Sequence, residues 1–378
     1  MLSILADSER HASFPTSEYT PLRPDQSEPT RHTHIIITIT ITITITTTPP
    51  QAPISKPSDP TAVNFSGEES TPPNQSQPHS ITTPRTLADT VILPGQLRTH
   101  DYPSYILSTF HPPPLRDAQL VIRAFNIDIA RIADQVSNLT VGRMRMQFWR
   151  DVIEKTYNGH PPQEPVALLL SKVLHEDRIP FTKSFWMKVI GAREQYLANQ
   201  SYTTLDALEA YSEATYSSLH YLSLEALNYK STNLDHVASH IGKASGITAV
   251  LRGTPLMAAP GPNSTQAAVL LPVDMCTKHG LRQEDVIRHG GSAQGLKDAV
   301  FEIATRANDH MITAREMLNR AGEEGKGPAF TTFLHAVPTS LYLGRLEKVD
   351  FDVFDSSLQR REWRLPWKAY IANARRQF

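Results

Sequence analysis

The chain has 378 residues, 37 Lys and Arg against 38 Asp and Glu, and a formal charge of −1. That length allows about two domain-sized pieces, and the balanced charge argues against the basic stripe of a nucleic-acid binder. The single cysteine, Cys276, excludes a disulfide framework or a multi-cysteine metal site and fits a reducing compartment.

Residues 1–95 are predicted to form a disordered, low-complexity tail. Pro15 to Pro94 hold a large share of the prolines, and stretches such as TPPNQSQPHSITTPRT (71–86) carry few large apolar side chains. Such a segment cannot bury enough surface to offset the entropy of ordering it. Inside it, IIITITITITITTT (35–48) alternates Ile and Thr. The run is short and Thr-rich against the roughly 20 apolar residues of a membrane span. Its period and β-branching fit a strand, which without a partner would be an aggregation-prone edge. A simple-sequence expansion without function is the preferred reading. The first 34 residues set Arg10, Arg23 and Arg31 against Asp7, Glu9, Glu18, Asp25 and Glu28. Neither an import presequence nor a secretory signal is read there.

Residues 96–378 are expected to form one all-α domain, a helical bundle. LRDAQLVIRAFNIDIARIADQV (115–136) is apolar over most of its circumference and predicts a buried helix. GRMRMQFWRDVIEKTYNG (142–159) is amphipathic and closes on Asn158-Gly159, a C-cap signal. PFTKSFWMKVIGAREQYL (180–197) repeats at helical spacing. A long helix is predicted over 201–227, with Thr203 or Thr204 as N-cap and Asp206 favouring its start. The next, over 233–253, meets Gly253-Thr254-Pro255, which reads as a breaker. In 294–321, Leu296, Val300, Ile303, Ala307, Met311, Ala314 and Leu318 keep a spacing of three and four. Helices over 328–349 and 365–376 complete the set, and only 269–273 reads as a strand.

Few side chains form a chemical constellation. His236 and His240 have an i, i+4 spacing that can bind Zn²⁺, but no third ligand is suggested, and a histidine pair at a surface or core edge is the commoner arrangement. No phosphate loop, nucleophile elbow or HExxH is present. Asp128 and Asp134 share a helix but face about 120° apart. Asp151 and Glu154, flanked by Arg150 and Lys155, read as a solvated face. No Asp or Glu occurs from His236 to Val273, although Arg252 lies in that stretch.

The order AFNIDIARIAD (124–134), FWRDVIEKTYNG (148–159), LEAYSEATYSSL (208–219), GKASGITAVLRG (242–253) and VLLPVDMCTKHGL (269–281) resembles the squalene/phytoene synthase family. The resemblance runs over residues 103 to 290 and more loosely to the end. It implies an isoprenoid-synthase-like bundle with a central cavity, in which two facing aspartate-rich helices hold Mg²⁺ against a diphosphate. Against the family pattern AFCRxxDDxxD, Ile127 stands at the arginine and Ala130 and Arg131 at the paired aspartates, leaving Asp134. Against GxAxQLTNILRDxxxD, Gly242, Ala244, Thr248, Leu251 and Arg252 match. Gly246 takes the glutamine, Ala249 the asparagine, and Gly253 and Met257 the aspartates. Leu270-Leu271-Pro272 match the downstream YLP. Asp134, Tyr211 and Arg252 are the residual cavity positions; no catalytic, cofactor-binding or metal-ligating residue is assigned, and no cofactor is expected.

RMRMQFWRDVIEKTYNG (143–159) and LEAYSEATYSSLHYLSLEALN (208–228) are similar in more detail to one branch, the phytoene-synthase-like assembly factors of mitochondrial complex I. This implies a non-catalytic factor in mitochondria, on the matrix side of the inner membrane, with complex I subunits or assembly intermediates as partners. The alternatives are a prenyltransferase of the squalene/phytoene synthase type, an isoprenoid- or lipid-binding protein, and a helical domain without ligand. No stretch of 101–378 is long and apolar enough to span a membrane, so any membrane association is expected to be peripheral. In LPWKAYIANARRQF (365–378), Trp367, Tyr370 and Ile371 beside Lys368, Arg375 and Arg376 fit either an anionic interface or a helix packed on the bundle, the second being preferred.

Overall fold

The computed structural model describes residues 87–136, 138–259 and 267–378, and all regular structure among them is helical. The predicted tail up to residue 86, with its Ile/Thr run, lies outside the described residues. Residues from Leu87 onward do not continue that tail. They form α1 (Leu87–His100), which runs through Pro94. Leu93 and Leu97 are buried in the same core cluster as Ile122 and Phe125, and that packing outweighs the proline.

α2 (Tyr102–Ser108) is capped by Asp101, whose carboxylate accepts from Ser104 N at 3.1 Å. α3 (Arg116–Gln135) is the expected buried helix. α4 (Leu139–Tyr157) ends as predicted, with Asn158 at the C-cap and Gly159 at φ +80°. α5 (Pro165–Ser171) is followed by a wide turn and α6 (Lys183–Gln195). The predicted 201–227 helix is α7 (Leu205–Ser212) and α8 (Ser218–Ala226), joined through a π-helical turn over Glu213–Ser217. Its N-cap is Thr204, accepting from Ala207 N at 3.1 Å.

α9 (Thr232–Ala258) runs five residues past the expected stop at residue 253. Pro255 removes only the donor to the Leu251 carbonyl. It lies within a turn of the helix end, and buried Leu251, Thr254 and Ala258 hold the last turn against the bundle. The stretch 269–273 is an extended connection into α10 (Val273–Lys278), not a strand. α11 (Gln283–His289), α12 (Leu296–Lys326, bent at Gly322), α13 (Phe330–Phe333), α14 (Ala336–Lys348) and α15 (Leu365–Arg375) follow.

α9 is packed by α7, α8, α12, α13 and α14. It packs tightly on the π-helical turn and the end of α7, where Gly242 and Gly246 leave no room for a side chain against Ser217 and Ser212. α15 buries Leu365, Ala369 and Ala372 and exposes Trp367 and Tyr370, whose rings stack at 5.9 Å. No helix among the described residues is long and apolar enough to cross a membrane.

Candidate functional site

Two adjoining cavities open between α3 and α9. The smaller, about 270 Å³, has Ile129, Met146, Val250 and Leu270 in its wall, with Tyr196, Tyr202 and Tyr211 along one side. These rings pack at 4.5 to 5.4 Å. The larger, about 420 Å³, is polar and takes Arg123, Asn126 and Arg131 from α3, His220 from α8, Ser245, Thr248 and Arg252 from α9, and His335 and Thr339 at α14. Ala130, Asp134, Arg193, Tyr216 and Ala249 belong to both walls.

The geometry follows from helical periodicity. Arg123, Ile127, Ala130 and Asp134 are spaced four, three and four apart, which lays them along one stripe of α3. On α9, Ala249, Gly253 and Met257 make the facing stripe, and the helix stays regular enough through Pro255 to keep Gly253 and Met257 in one wall. The proline therefore does not disrupt that i, i+4 face.

The three residual cavity positions fall in these walls: Tyr211 in the smaller cavity, Arg252 in the larger, Asp134 in both. Asp134 stands exposed at the mouth. Partial loss of water raises its carboxyl above the usual range, against the pull of Arg131 and Arg193. Asp128 points elsewhere and accepts from Gln96, in line with the angle between the two acids. Arg131 bonds His100 at 3.1 Å. Asp151 and Glu154 lie on the exposed face of α4, with Glu154 paired to Lys183 at 2.8 Å. His240 meets His310, Nδ1 to Nδ1, at 2.9 Å. No cluster of three or more His, Cys, Asp or Glu side chains suited to a metal occurs among the described residues, His236 included.

Sequence reasoning missed Arg193 and Arg123. Arg193 donates to Tyr211 Oη at 2.9 Å and to Asn126 Oδ1 at 3.0 Å, tying α6, α7 and α3 together at the cavity. Its guanidinium also lies 5.8 Å from the Tyr211 ring and 6.0 Å from that of Tyr216. Arg123 is buried in the apolar run of α3, where nothing but its charge marks it out.

Around Arg123 sit three histidines kept neutral. Burial first, and Arg123 second, hold His220 and His335 well below the ordinary imidazole value, and the same causes with Arg116 bring His111 to about 3. In the unfolded chain these rings protonate near pH 6.5. Their contribution to stability is thus complete above about pH 6.5 and is lost as pH falls, because the unfolded state then binds protons the folded state refuses. Each is expected to remove on the order of 1 kcal/mol per pH unit below that point. Thermal melts between pH 7 and pH 5 check this. His111→Asn should flatten the dependence, and an unchanged slope in that variant would refute the assignment.

The class of protein follows from this architecture: an all-α isoprenoid-synthase-like bundle with a chamber between two central helices. The chain matches the crystal structure of a dehydrosqualene synthase with a TM-score of 0.62 at 16% identity, covering 76% of this chain and 96% of that one. It matches a squalene synthase of Alicyclobacillus acidocaldarius with a TM-score of 0.58 at 13% identity, covering 70% and 95%. At such identities the likeness concerns the fold. The squalene/phytoene synthase family model matches residues 97–370, and the chain belongs to that family. It is 39% identical over 282 residues to the Rattus norvegicus protein named NADH dehydrogenase (ubiquinone) complex I, assembly factor 6, covering 75% of this chain and 81% of that one. The Homo sapiens protein of the same name is 38% identical over the same shares, and the Drosophila melanogaster homolog 30% over 72% and 80%.

Proposed function

We propose that this chain is an assembly factor for mitochondrial respiratory complex I that performs no prenyl transfer itself. The observation that carries the reading is the 39% identity to a protein of that name across 81% of its length. The chemistry of the chamber supports the second half. Magnesium takes oxygen ligands, yet the facing stripes of α3 and α9 present Ala130, Arg131, Gly253 and Met257 around Asp134. A guanidinium at Arg131 repels a cation there. The partners are complex I subunits or assembly intermediates. The location is the matrix side of the inner membrane, with peripheral attachment through the exposed Trp363, Trp367 and Tyr370 beside Lys368.

Deleting the gene and resolving respiratory complexes on native gels tests the assembly role. Mature complex I should fall and should return on expression of the wild type or of Asp134→Asn. Normal complex I in the deletion strain would overturn the proposal. Carbonate extraction of the mitochondrial pellet should release the protein, and retention would refute peripheral attachment. Turnover of farnesyl or geranylgeranyl diphosphate with Mg²⁺, abolished by Asp134→Ala, would establish the transferase reading instead.

A further inference from the structure

We propose that the exposed face of α4 is a docking surface for an acidic segment of a partner protein, one that carries an apolar face of its own. Val141, Met144 and Phe148 are 44%, 67% and 50% exposed. At about 100° per residue they fall within about 60° of one another, over a length of about 10 Å. Single exposed apolar side chains are ordinary, but three in a row on one helix face make a patch, and such patches mark contact sites. The row is also pre-organised. Met146, Trp149, Val152 and Ile153 of the same helix are buried and hold α4 on the core, so the row cannot turn inward. Phe148 stands edge-on to Trp149 at 5.9 Å, which braces its ring. An aromatic anchor held in this way binds with little further loss of side-chain entropy.

The charges around the row define the partner's chemistry. Arg150 is paired with Glu194 at 2.5 Å and Glu154 with Lys183 at 2.8 Å. Arg145 donates to the Gln135 side chain at 3.0 Å, and Asp151 accepts from that of Gln147 at 2.9 Å. Arg143 and Lys155 form no ion pair among the described residues. Among those residues, α4 thus presents Arg143, Arg145 and Lys155 without a carboxylate, against Asp151 without a cation. By the same helical count Arg145 and Lys155 run alongside the row. An acidic partner answers that excess. A second copy of this chain, docked by the same face, would bring a second set of the same cations. A lipid surface fits less well. The row joins Met and Phe to Arg, side chains that protein interfaces favour, and methionine adapts to the shape it meets. The exposed Trp and Tyr side chains suited to a lipid interface are on and beside α15. Asp151, one turn beyond Phe148, would be repelled by anionic headgroups. Two turns of one helix make a small contact, which suits a partner that is held and then released. This inference rests on the assembly role and adds the face through which it acts.

Cross-linking in living cells decides the matter. The full chain, expressed in the deletion strain, carries the photo-reactive probe p-benzoylphenylalanine at Val141, and the segment joined to it on irradiation is sequenced by mass spectrometry. The adduct should be a protein segment of net negative charge with apolar residues on one face. Arg145→Glu in the same chain should cut its yield about fivefold or more, because like charges then meet. No adduct, or an adduct with lipid alone, with a second copy of this chain or with a basic segment, would overturn the proposal. In the same strain, Met144→Ser with Phe148→Ser should leave the protein at its wild-type level and in the membrane pellet, while mature complex I falls to about half or less, as for loss of central anchors. Release from the pellet would show that this face meets lipid and would overturn the proposal. So would full restoration of complex I by the double variant in a strain whose deletion lowers it, and the assembly role would still stand. Normal complex I in the deletion strain itself would remove the assembly role instead. Should the double variant fail to accumulate, Arg145→Glu, which alters only an exposed side chain, carries the same comparison.

Discussion

Gly242→Ala is expected to cost about 3 kcal/mol or more, a large part of the roughly 5–15 kcal/mol that holds a domain folded. A Cβ at this position would lie 2.2 Å from Ser217 Oγ, 2.5 Å from Ser217 N and 2.6 Å from Ser217 Cα. A hydroxyl can rotate away, but a backbone nitrogen and Cα cannot. Relief requires α9 to move off the π-helical turn, and α9 is also held by α12 and α14. The same shift would open the chamber, since the face of α9 that follows Gly242 carries Ser245, Thr248 and Arg252. Gly253→Ala is the control. Nothing lies within 4 Å of its Cβ, and Ala is favoured over Gly in a helix by about 1 kcal/mol. Urea unfolding of both variants tests the contrast. A Gly242→Ala midpoint equal to that of Gly253→Ala would show that the close approach is not rigid.

What could be read from the residues divides along one line. Helices whose apolar positions repeat every three or four residues, such as 294–321, were legible because periodicity is a local property. So was the cap at Thr204. The course of α9 through Pro255 was not, because burial of Leu251, Thr254 and Ala258 decides it, and burial depends on partners distant in sequence. α1 was hidden for the same reason: Pro94-Gly95 look like tail until Leu93 and Leu97 are seen against α3. The site shows the same split. Asp134 and Arg252 stand at positions that the resemblance names. Arg193 and Arg123 come from a different turn or a different helix, and only the assembled bundle brings them to the cavity. The π-helical turn between Tyr211 and Ser218 has no sequence signal; it accompanies the approach of two glycines to two serines.

Trp186→Ala is expected to destabilise the protein by about 3–5 kcal/mol, the usual range for emptying a large buried aromatic site. Trp186 is fully buried. Its ring stands edge-on to Phe125 at 4.9 Å and to Phe181 at 5.6 Å, and Phe125 in turn meets Trp149 at 5.7 Å. These contacts pin α6 to α3 and α4. Trp186 and Arg193 are two helical turns apart and so lie on nearly the same side of α6. The residue that fills the core thus also aims the guanidinium that reaches Tyr211 and Asn126. Trp186→Phe keeps an aromatic ring in the site and should lose less than half as much. Chemical denaturation gives the magnitudes, and a loss near 1 kcal/mol for Trp186→Ala would mean that the core closes over the gap. Hydrogen exchange separates anchoring from general weakening. If Trp186 positions α6, amides of α6 and of the Tyr211–Tyr216 segment should open ahead of those in α12. Protection lost equally in α6 and α12 would assign Trp186 to bulk stability alone.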